Sequence, residues 1–385
     1  METEREETLA LLVEACRRFA REVLVPAEVA VQQTQEIPAH VVRGLRELGL
    51  FGMTVPEEYG GLGLNAFEET SLVTEICYAQ PAFRSFFGTT NGVGTLGIIN
   101  FGTEAQKLRY LPRLASGEMM ASFALTEPDS GSDAASLQTR AVRDGDHWVI
   151  NGTKRFITNA IHAGVFTVFA RTGPKELGAN GISAFLVRGD APGVVRGKPE
   201  HKLGQHGSTT TPLDFNEVEL DADALLGEEG RGFRVAMMAL DGGRIGIAAL
   251  ALGCGLAATD FAADYALQRS QFGAAIASYQ AIQWMLADSA TELDAARLLV
   301  LRAAWLKEQG KPFTSEASMA KLMASERAHA ACDRAVQVLG GYGYVRDFPV
   351  ERFLRDVRVT RIFEGTSEIQ RIILSREVMR RHSRG

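Results

Sequence analysis

A carboxylate set between an aromatic residue and a glycine marks the segment with the most chemical potential: Ile362-Phe363-Glu364-Gly365-Thr366-Ser367-Glu368-Ile369-Gln370. Ser367 and Gln370 have the spacing of a capping box, in which a hydroxyl accepts from the first turn while the amide returns a bond. That spacing places Glu364 in the approach to a helix rather than on its exposed side. Between Phe363 and Gly365 the carboxylate is poorly hydrated for a loop, and desolvation raises both its pKa and its basicity. A base that removes a weakly acidic C–H proton needs that property. The plainer alternative is a carboxylate placed to meet the dipole of the following helix.

Four further constellations could act with it. Ala124-Leu-Thr-Glu-Pro-Asp-Ser-Gly-Ser-Asp133 follows an expected strand, MASFAL, and offers hydroxyls and backbone N–H groups that could grip a polar ring, although its residue types also favour an ordinary turn. Arg155-Phe156-Ile157-Thr158-Asn159, after a turn-like Asn151-Gly152, puts an aromatic and a hydroxyl two residues apart on one strand face, or simply gives that strand a buried face. A long helix carries Leu240-Asp-Gly-Gly-Arg-Ile-Gly246, Gly253 and Gly255, and ends Arg269-Ser-Gln-Phe272-Gly273. Interior helix glycines cost about 1 kcal/mol each relative to Ala, so either another helix approaches closely there or a ligand chain needs room. Gln337-Val-Leu-Gly-Gly-Tyr-Gly-Tyr344 has more glycine than a helix terminus needs, which suggests backbone passing close to a phosphate or to another subunit.

The elements that must position these residues read as helix, sheet, helix. Residues 1–120 form short helices: Pro38 opens one, Gly49 closes it, and Thr103 with Gln106 makes a capping box. Residues 121–228 switch to strands, clearest in HWVING, GVFTVFART, GISAFLVRG and TTTPLDFNEVEL, with Asp144-Gly145 as a hairpin turn. From 229 to 385 helices return, expected over 233–270, 278–309, 314–339 and 367–381. Strands grouped apart from helices imply an α+β arrangement, with no alternation of the kind a nucleotide-binding parallel sheet requires. Gly92-Val-Gly94-Thr-Leu-Gly97 matches dinucleotide-binding spacing, but it sits in the helical region and reads as small residues easing close packing.

Composition narrows the field further. Over 385 residues, 46% are hydrophobic and 23% charged, with a formal net charge of -6, which argues against nucleic acid as a partner. No stretch reads as the roughly 20 apolar residues of a membrane-spanning helix, implying a soluble protein without a membrane. Cys16, Cys77, Cys254 and Cys332 lie far apart without metal-ligand spacing and read as buried thiols, with no metal expected. The acidic, amphipathic start, METEREETLALLVEACRRFAREV, is unlike a leader, so the expected location is the cytoplasm.

In this order, with ALTEPDSGSDAAS at 124–136 and QVLGGYGYVRDFPVERFLRD at 337–356, the whole chain resembles the acyl-CoA dehydrogenase family. The resemblance implies a helical N-terminal domain, a middle antiparallel β domain and a C-terminal four-helix bundle, assembled as a homotetramer binding FAD. Glu364 would then be the catalytic base, with Ser132, Asp241 and Arg244 at the thioester. Phe123, Leu125, Thr126, Ser132, Phe156 and Thr158 would neighbour the flavin. Arg269, Phe272, Gln280, Gln337, Gly340 and Gly341 would hold its pyrophosphate and adenosine, partly from a second subunit, with Thr366 and Glu368 beside the same cofactor. The implied reaction is α,β-dehydrogenation of an acyl-CoA, with an electron-transferring flavoprotein reoxidising the FAD. Some branches place the base on the long helix, at the position of Gly243, which cannot serve. Phe156 stands where Trp is common and Phe363 where Tyr is common, so each loses a donor and substrate range is the feature they touch. The rival expectations are an oxidase or monooxygenase of the same fold, disfavoured by length and by Glu364 respectively, and a non-catalytic or carrier-protein thioester-binding flavoprotein.

Overall fold

The computed structural model describes residues 2–383. Seven α-helices come first: α1 (Glu2–Phe19), α2 (Val25–Thr34), α3 (Ala39–Glu47), α4 (Ala66–Ile76), α5 (Ala82–Thr89), α6 (Thr95–Phe101) and α7 (Glu104–Ala115). Their punctuation follows local chemistry. Pro38 stands at the N-cap of α3, Gly49 follows its end at φ 69°, and Thr103 and Gln106 exchange both capping-box bonds at the start of α7. The G-x-G-x-x-G stretch is the π-turn and helix joining α5 to α6. A Cβ on Gly94 would stand 2.7 Å from Ala121 Cβ, and one on Gly97 3.2 Å from Leu226. Those glycines admit the sheet at Ala121 and Leu226, and Gly97 also admits Val235 of the long helix that follows the sheet, 3.3 Å from the same Cβ, so the close packing is against both strand and helix.

The sheet comprises β1 (Met120–Ala124), β2 (Arg140–Asp144), β3 (His147–Thr158), β4 (Ala163–Arg171), β5 (Ile182–Arg188), β6 (Val194–Arg196), β7 (Thr210–Asp221) and β8 (Leu225–Leu226). Its order is β6-β7-β3-β2-β4-β5-β8, with β1 added beside β4. The expectation of an antiparallel sheet needs correction, because β4 pairs in parallel with both β1 and β2. The β1 strand enters from the helical region, so the chain that links it to β4 must return along the sheet. Gly145, at φ 58°, turns β2 into β3 as its neighbour Asp144 suggested. Asn151-Gly152 does not turn: β3 runs straight through it, with a register shift at Gly152, where an ideal Cβ would stand 2.7 Å from Thr139 Cα, closer than a side chain allows.

After the sheet come α8 (Gly232–Gln268), a small hairpin of β9 (Ser270–Gln271) and β10 (Ala274–Ala275), then α9 (Gln280–Glu308), α10 (Thr314–Leu339), α11 (Val350–Val357) and α12 (Ser367–His382). The short α11 was not expected; it lies in PVERFLRD, where Pro349 precedes it and Val350, Phe353 and Val357 form a buried i, i+3, i+7 stripe. Contrary to the expectation that no apolar run of spanning length exists, α8 is long and apolar enough by composition to cross a membrane. Most of its apolar window is buried inside the molecule, packed on α4, α9 and α10. Its alanines and glycines allow that. A Cβ on Gly253 would meet Thr74 O at 2.4 Å, and one on Gly255 would meet Leu293 and Ala328 near 3 Å. All four cysteines are buried free thiols.

Candidate functional site

Glu364 sits where the chain reverses from the 3₁₀ turn after α11 into α12. It adopts φ 52°, a left-handed conformation costly for a residue with a Cβ, and Gly365 follows at φ 93°. Two ties hold this turn: Lys321 Nζ donates to Gly365 O at 2.7 Å, and Gln370 Nε2 donates to the same oxygen at 2.9 Å. The helix start differs by one residue from the sequence reading. Thr366 is the N-cap and accepts from Ile369 N, because Gln370 spends its amide on the turn rather than on a cap at Ser367.

Facing this turn is the middle of α8. An ideal Cβ on Gly243 would lie 2.2 Å from Glu364 Oε2, so the carboxylate occupies the room that this glycine leaves. One residue on, Arg244 is buried, forms an ion pair with Asp241 and directs Nε to Glu364 O at 3.4 Å. Asp241 is fixed in turn by Thr314 Oγ1 at 2.6 Å. The structure therefore joins Glu364, Asp241 and Arg244 with Thr366 at the adjoining cap.

The electrostatics of this cluster are those of a dry site. The residue is half-buried, yet its Oε2 is shut off and accepts no hydrogen bond among the described residues. Burial raises the Glu364 pKa above the ordinary carboxylate value, while Arg84, Lys321 and Arg244 pull it back. Burial likewise raises Asp241, lowers Arg244, and pushes Lys321 down to about 8.

The sheet residues form a second group. Phe123 stacks on Phe169 with centroids 4.8 Å apart, Leu125 turns its side chain into the core, and Thr126 is half-buried with its carbonyl accepting from Arg155 N at 2.8 Å. Phe156 is 61% exposed at φ 58°, in a second register shift of β3, and Thr158 is half-buried. The bulge, rather than regular alternation, is what presents Phe156 on the outer face. Ser132 is exposed in its loop and makes no hydrogen bond to Asp241 or Arg244 among the described residues, so this chain alone does not unite the three.

A third group lines a groove of about 700 Å³ beside the β9–β10 hairpin. Arg269, Phe272, Gly340 and Gly341 line it together with Tyr265 and Tyr342. Phe272 is 96% exposed at the hairpin tip, and nothing lies within 4 Å of a Cβ built on Gly340 or Gly341. Gln280, at the first turn of α9, and Gln337, on the last turn of α10, are exposed near this groove's ends without lining it. Glu368 is exposed in the first turn of α12.

These features fit a flavin dinucleotide. An open glycine cradle beside Arg269 suits a phosphate-bearing moiety, and exposed aromatic and hydroxyl groups on the bulged β3 suit a flat polar ring.

Sequence reasoning missed three buried cations. Lys154 is fully buried and pairs with Glu127 at 2.7 Å, tying the 124–133 loop to β3, while Glu127 also accepts from Gln138 N and Thr139 N. Lys321 lies on the buried stripe of Ala317, Ala320, Ala324 and Ala328, and a lysine at a core position was its signal. Arg84 is the one cation in the otherwise uncharged α5.

Comparison with known proteins adds independent findings. Sequence profiles described as the acyl-CoA dehydrogenase N-terminal, middle and C-terminal domains match residues 6–118, 122–218 and 230–379. The bovine mitochondrial short-chain specific acyl-CoA dehydrogenase is 46% identical over 97% of this chain and 90% of its own. The butyryl-CoA dehydrogenase of Megasphaera elsdenii superposes with a TM-score of 0.93 at 38% identity, covering 96% of this chain and 98% of that one. An acyl-CoA dehydrogenase of Bacillus anthracis complexed with FAD gives 0.90 at 34% identity, covering 98% of this chain and 68% of that one.

Proposed function

We propose, from the premise that this chain belongs to the acyl-CoA dehydrogenase family and is an FAD-dependent dehydrogenase of acyl-CoA thioesters, that Glu364 is the base that takes the α-proton. The observation that carries this reading is the Glu364 carboxylate itself: Oε2 buried, unpartnered and lodged over Gly243, with burial raising its proton affinity.

A carboxylate stripped of water is a stronger base than one in solvent, and the cations Arg84, Lys321 and Arg244 keep it ionised often enough to act. Arg244, clamped by Asp241, holds the Glu364 backbone, while Lys321 and Gln370 hold the next carbonyl, so the side chain is aimed before a substrate arrives. The α-proton of a thioester becomes acidic as its carbonyl is polarised, and Glu364 receives it on the side facing α8. When bound, FAD supplies the two-electron acceptor that takes the β-hydride. Phe156, Thr158, Phe123, Leu125 and Thr126 would border its ring, with Ser132 free in the loop to donate to ring or thioester. Arg269, Phe272, Gln280, Gln337, Gly340 and Gly341 would hold its phosphates and adenosine, and Thr366 and Glu368 would adjoin it.

A homotetramer is part of this reading. It is supported by Phe272, 96% exposed at the hairpin tip, and Tyr344, 87% exposed at the end of the 3₁₀ turn after α10, apolar surface that a second copy would cover. An electron-transferring flavoprotein is the proposed acceptor, and short acyl chains are supported by relatives named for short-chain and butyryl substrates.

The test is Glu364→Gln in the holoenzyme. It should keep bound FAD and a mass near four chains of 41.8 kDa by light scattering, while anaerobic flavin bleaching by butyryl-CoA slows at least about 10²-fold. Bleaching at the original rate would remove Glu364 from the chemistry.

A further inference from the structure

Lys154 is fully buried, yet the chemistry described above gives it nothing to do. Its Nζ donates to Leu125 O at 3.0 Å and to Glu127 Oε1 at 2.7 Å, and so brackets Thr126 from one side. Arg155 N, from the next residue of β3, donates to Thr126 O at 2.8 Å, and Ser130 N donates to Glu127 O at 3.2 Å. All three carbonyls from 125 to 127 are therefore occupied. The Glu127 carboxylate is fixed as well, accepting from Gln138 N at 2.6 Å and Thr139 N at 2.9 Å. The Thr126 N–H is the contrast, since it donates to no backbone carbonyl among the described residues.

Anchoring a loop does not require this arrangement. A buried ion pair is often no more stabilising than apolar groups of the same volume, so two charges in a core point to a use beyond stability. Both charges persist at pH 7. Burial pushes Lys154 down only to about 8, with Glu127 the one charge acting on it among the described residues. Burial raises Glu127 in turn, but Lys154 and the surrounding donors outweigh that and hold it below the ordinary carboxylate value.

We propose that Lys154 is a positioning residue for the flavin and that, balanced by Glu127, it sets the flavin's reduction potential. The inference rests on the reading above in one respect: Leu125 and Thr126 border the ring. Holding the carbonyls of 125 to 127 from behind leaves the Thr126 N–H and hydroxyl for the ring's polar edge. The pair would then lie one peptide unit behind the surface on which the ring rests, in a dry region where charge is weakly screened. With both charges present the net field there is small. A carboxylate left alone would disfavour the electrons that reduction adds, and an ammonium left alone would favour them.

The experiment compares wild-type holoenzyme with Lys154→Met, Glu127→Gln and the double variant, by anaerobic redox titration of the bound FAD at pH 7 and by the rate of FAD release. Lys154→Met should weaken binding of reduced relative to oxidised FAD at least about tenfold, which lowers the midpoint potential by about 30 mV. Glu127→Gln should raise the potential by a similar amount. The double variant should return to the wild-type potential, yet release FAD about fivefold faster because Leu125 O has lost its donor. A pair that only anchors the loop would lower the melting temperature without moving the potential, or move both single variants the same way, and either result overturns the inference. Should the single variants fail to fold, the double variant decides: a potential unlike the wild type's, or FAD release at the wild-type rate, overturns it. Thr126→Val tests the underlying placement separately, because unchanged FAD release there would mean that the ring does not rest on Thr126, and the inference would fall with that reading.

Discussion

Glu364 Oε2 occupies the space that a side chain on Gly243 would fill, 2.2 Å from an ideal Cβ at that position. Turn and helix therefore share one small volume, and only one of them can supply a carboxylate to it. Gly243→Ala should keep the fold, since α8 accepts Ala more readily than Gly, but it must drive the carboxylate aside. The expected result is retained FAD with single-turnover flavin bleaching slowed about 10²-fold. A rate within twofold of wild type would show that the carboxylate works from another position.

The pH dependence of kcat/KM follows from the raised Glu364 pKa. Burial holds the proton on more firmly, and Arg84, Lys321 and Arg244 oppose it. Activity needs the ionised form, so the rate should fall as pH drops through a value above the ordinary 4.5. Lys321→Met removes one of the opposing cations and should move that acidic limb to higher pH. A limb that moves down or stays fixed would mean that another group titrates.

Lys154 and Glu127 form a fully desolvated pair beneath the 124–133 loop. Glu127→Gln leaves a charged lysine in the core, at a cost of about 3 kcal/mol or more. Thermal unfolding should show a large drop for Glu127→Gln and a smaller one for the double variant Glu127→Gln, Lys154→Met, in which no charge is stranded. Equal losses would show that the pair carries little of the loop's anchorage.

Arg352 ties Glu28 of α2 to α11, and Asp356 one turn on binds Gln205 N. Burial raises Glu28 to about 7 and Asp356 to about 6. A carboxylate raised in the folded state costs little stability below its unfolded value, and its full cost stands above its folded value. Arg352→Met should therefore destabilise most at pH 8 and progressively less towards pH 5, where both acids take up protons. Melting curves at the two pH values check this, and a variant hurt more at pH 5 than at pH 8 contradicts it.

Much of this arrangement was legible in the linear chain. Helix periodicity and local punctuation located α8, α9, α10 and α12 to within a few residues, and the change to β-branched runs located the sheet. Phe363-Glu364-Gly365 suggested a poorly hydrated carboxylate because its flanking residues limit access to water. The capping residue was misplaced by one because Ser367 and Thr366 are equally able caps, and the choice fell to Gln370, which the fold uses to hold Gly365 O. The parallel pairing of β1 with β4, and the bulge that turns out Phe156, depend on contacts between segments far apart in sequence.

What the sequence determined by itself was therefore short-range: which segments coil, which extend, and which residue types could do acid–base or flavin chemistry. The tertiary structure alone decided what each charge faces. Arg84, Lys321, Arg244 and Glu364 come from three different helices and a turn, and nothing in their spacing along 281 positions from 84 to 364 reports their convergence. Burial and pairing energies arise between elements, so a lone arginine in α5 reads as unremarkable until α8 closes over it without supplying an acid.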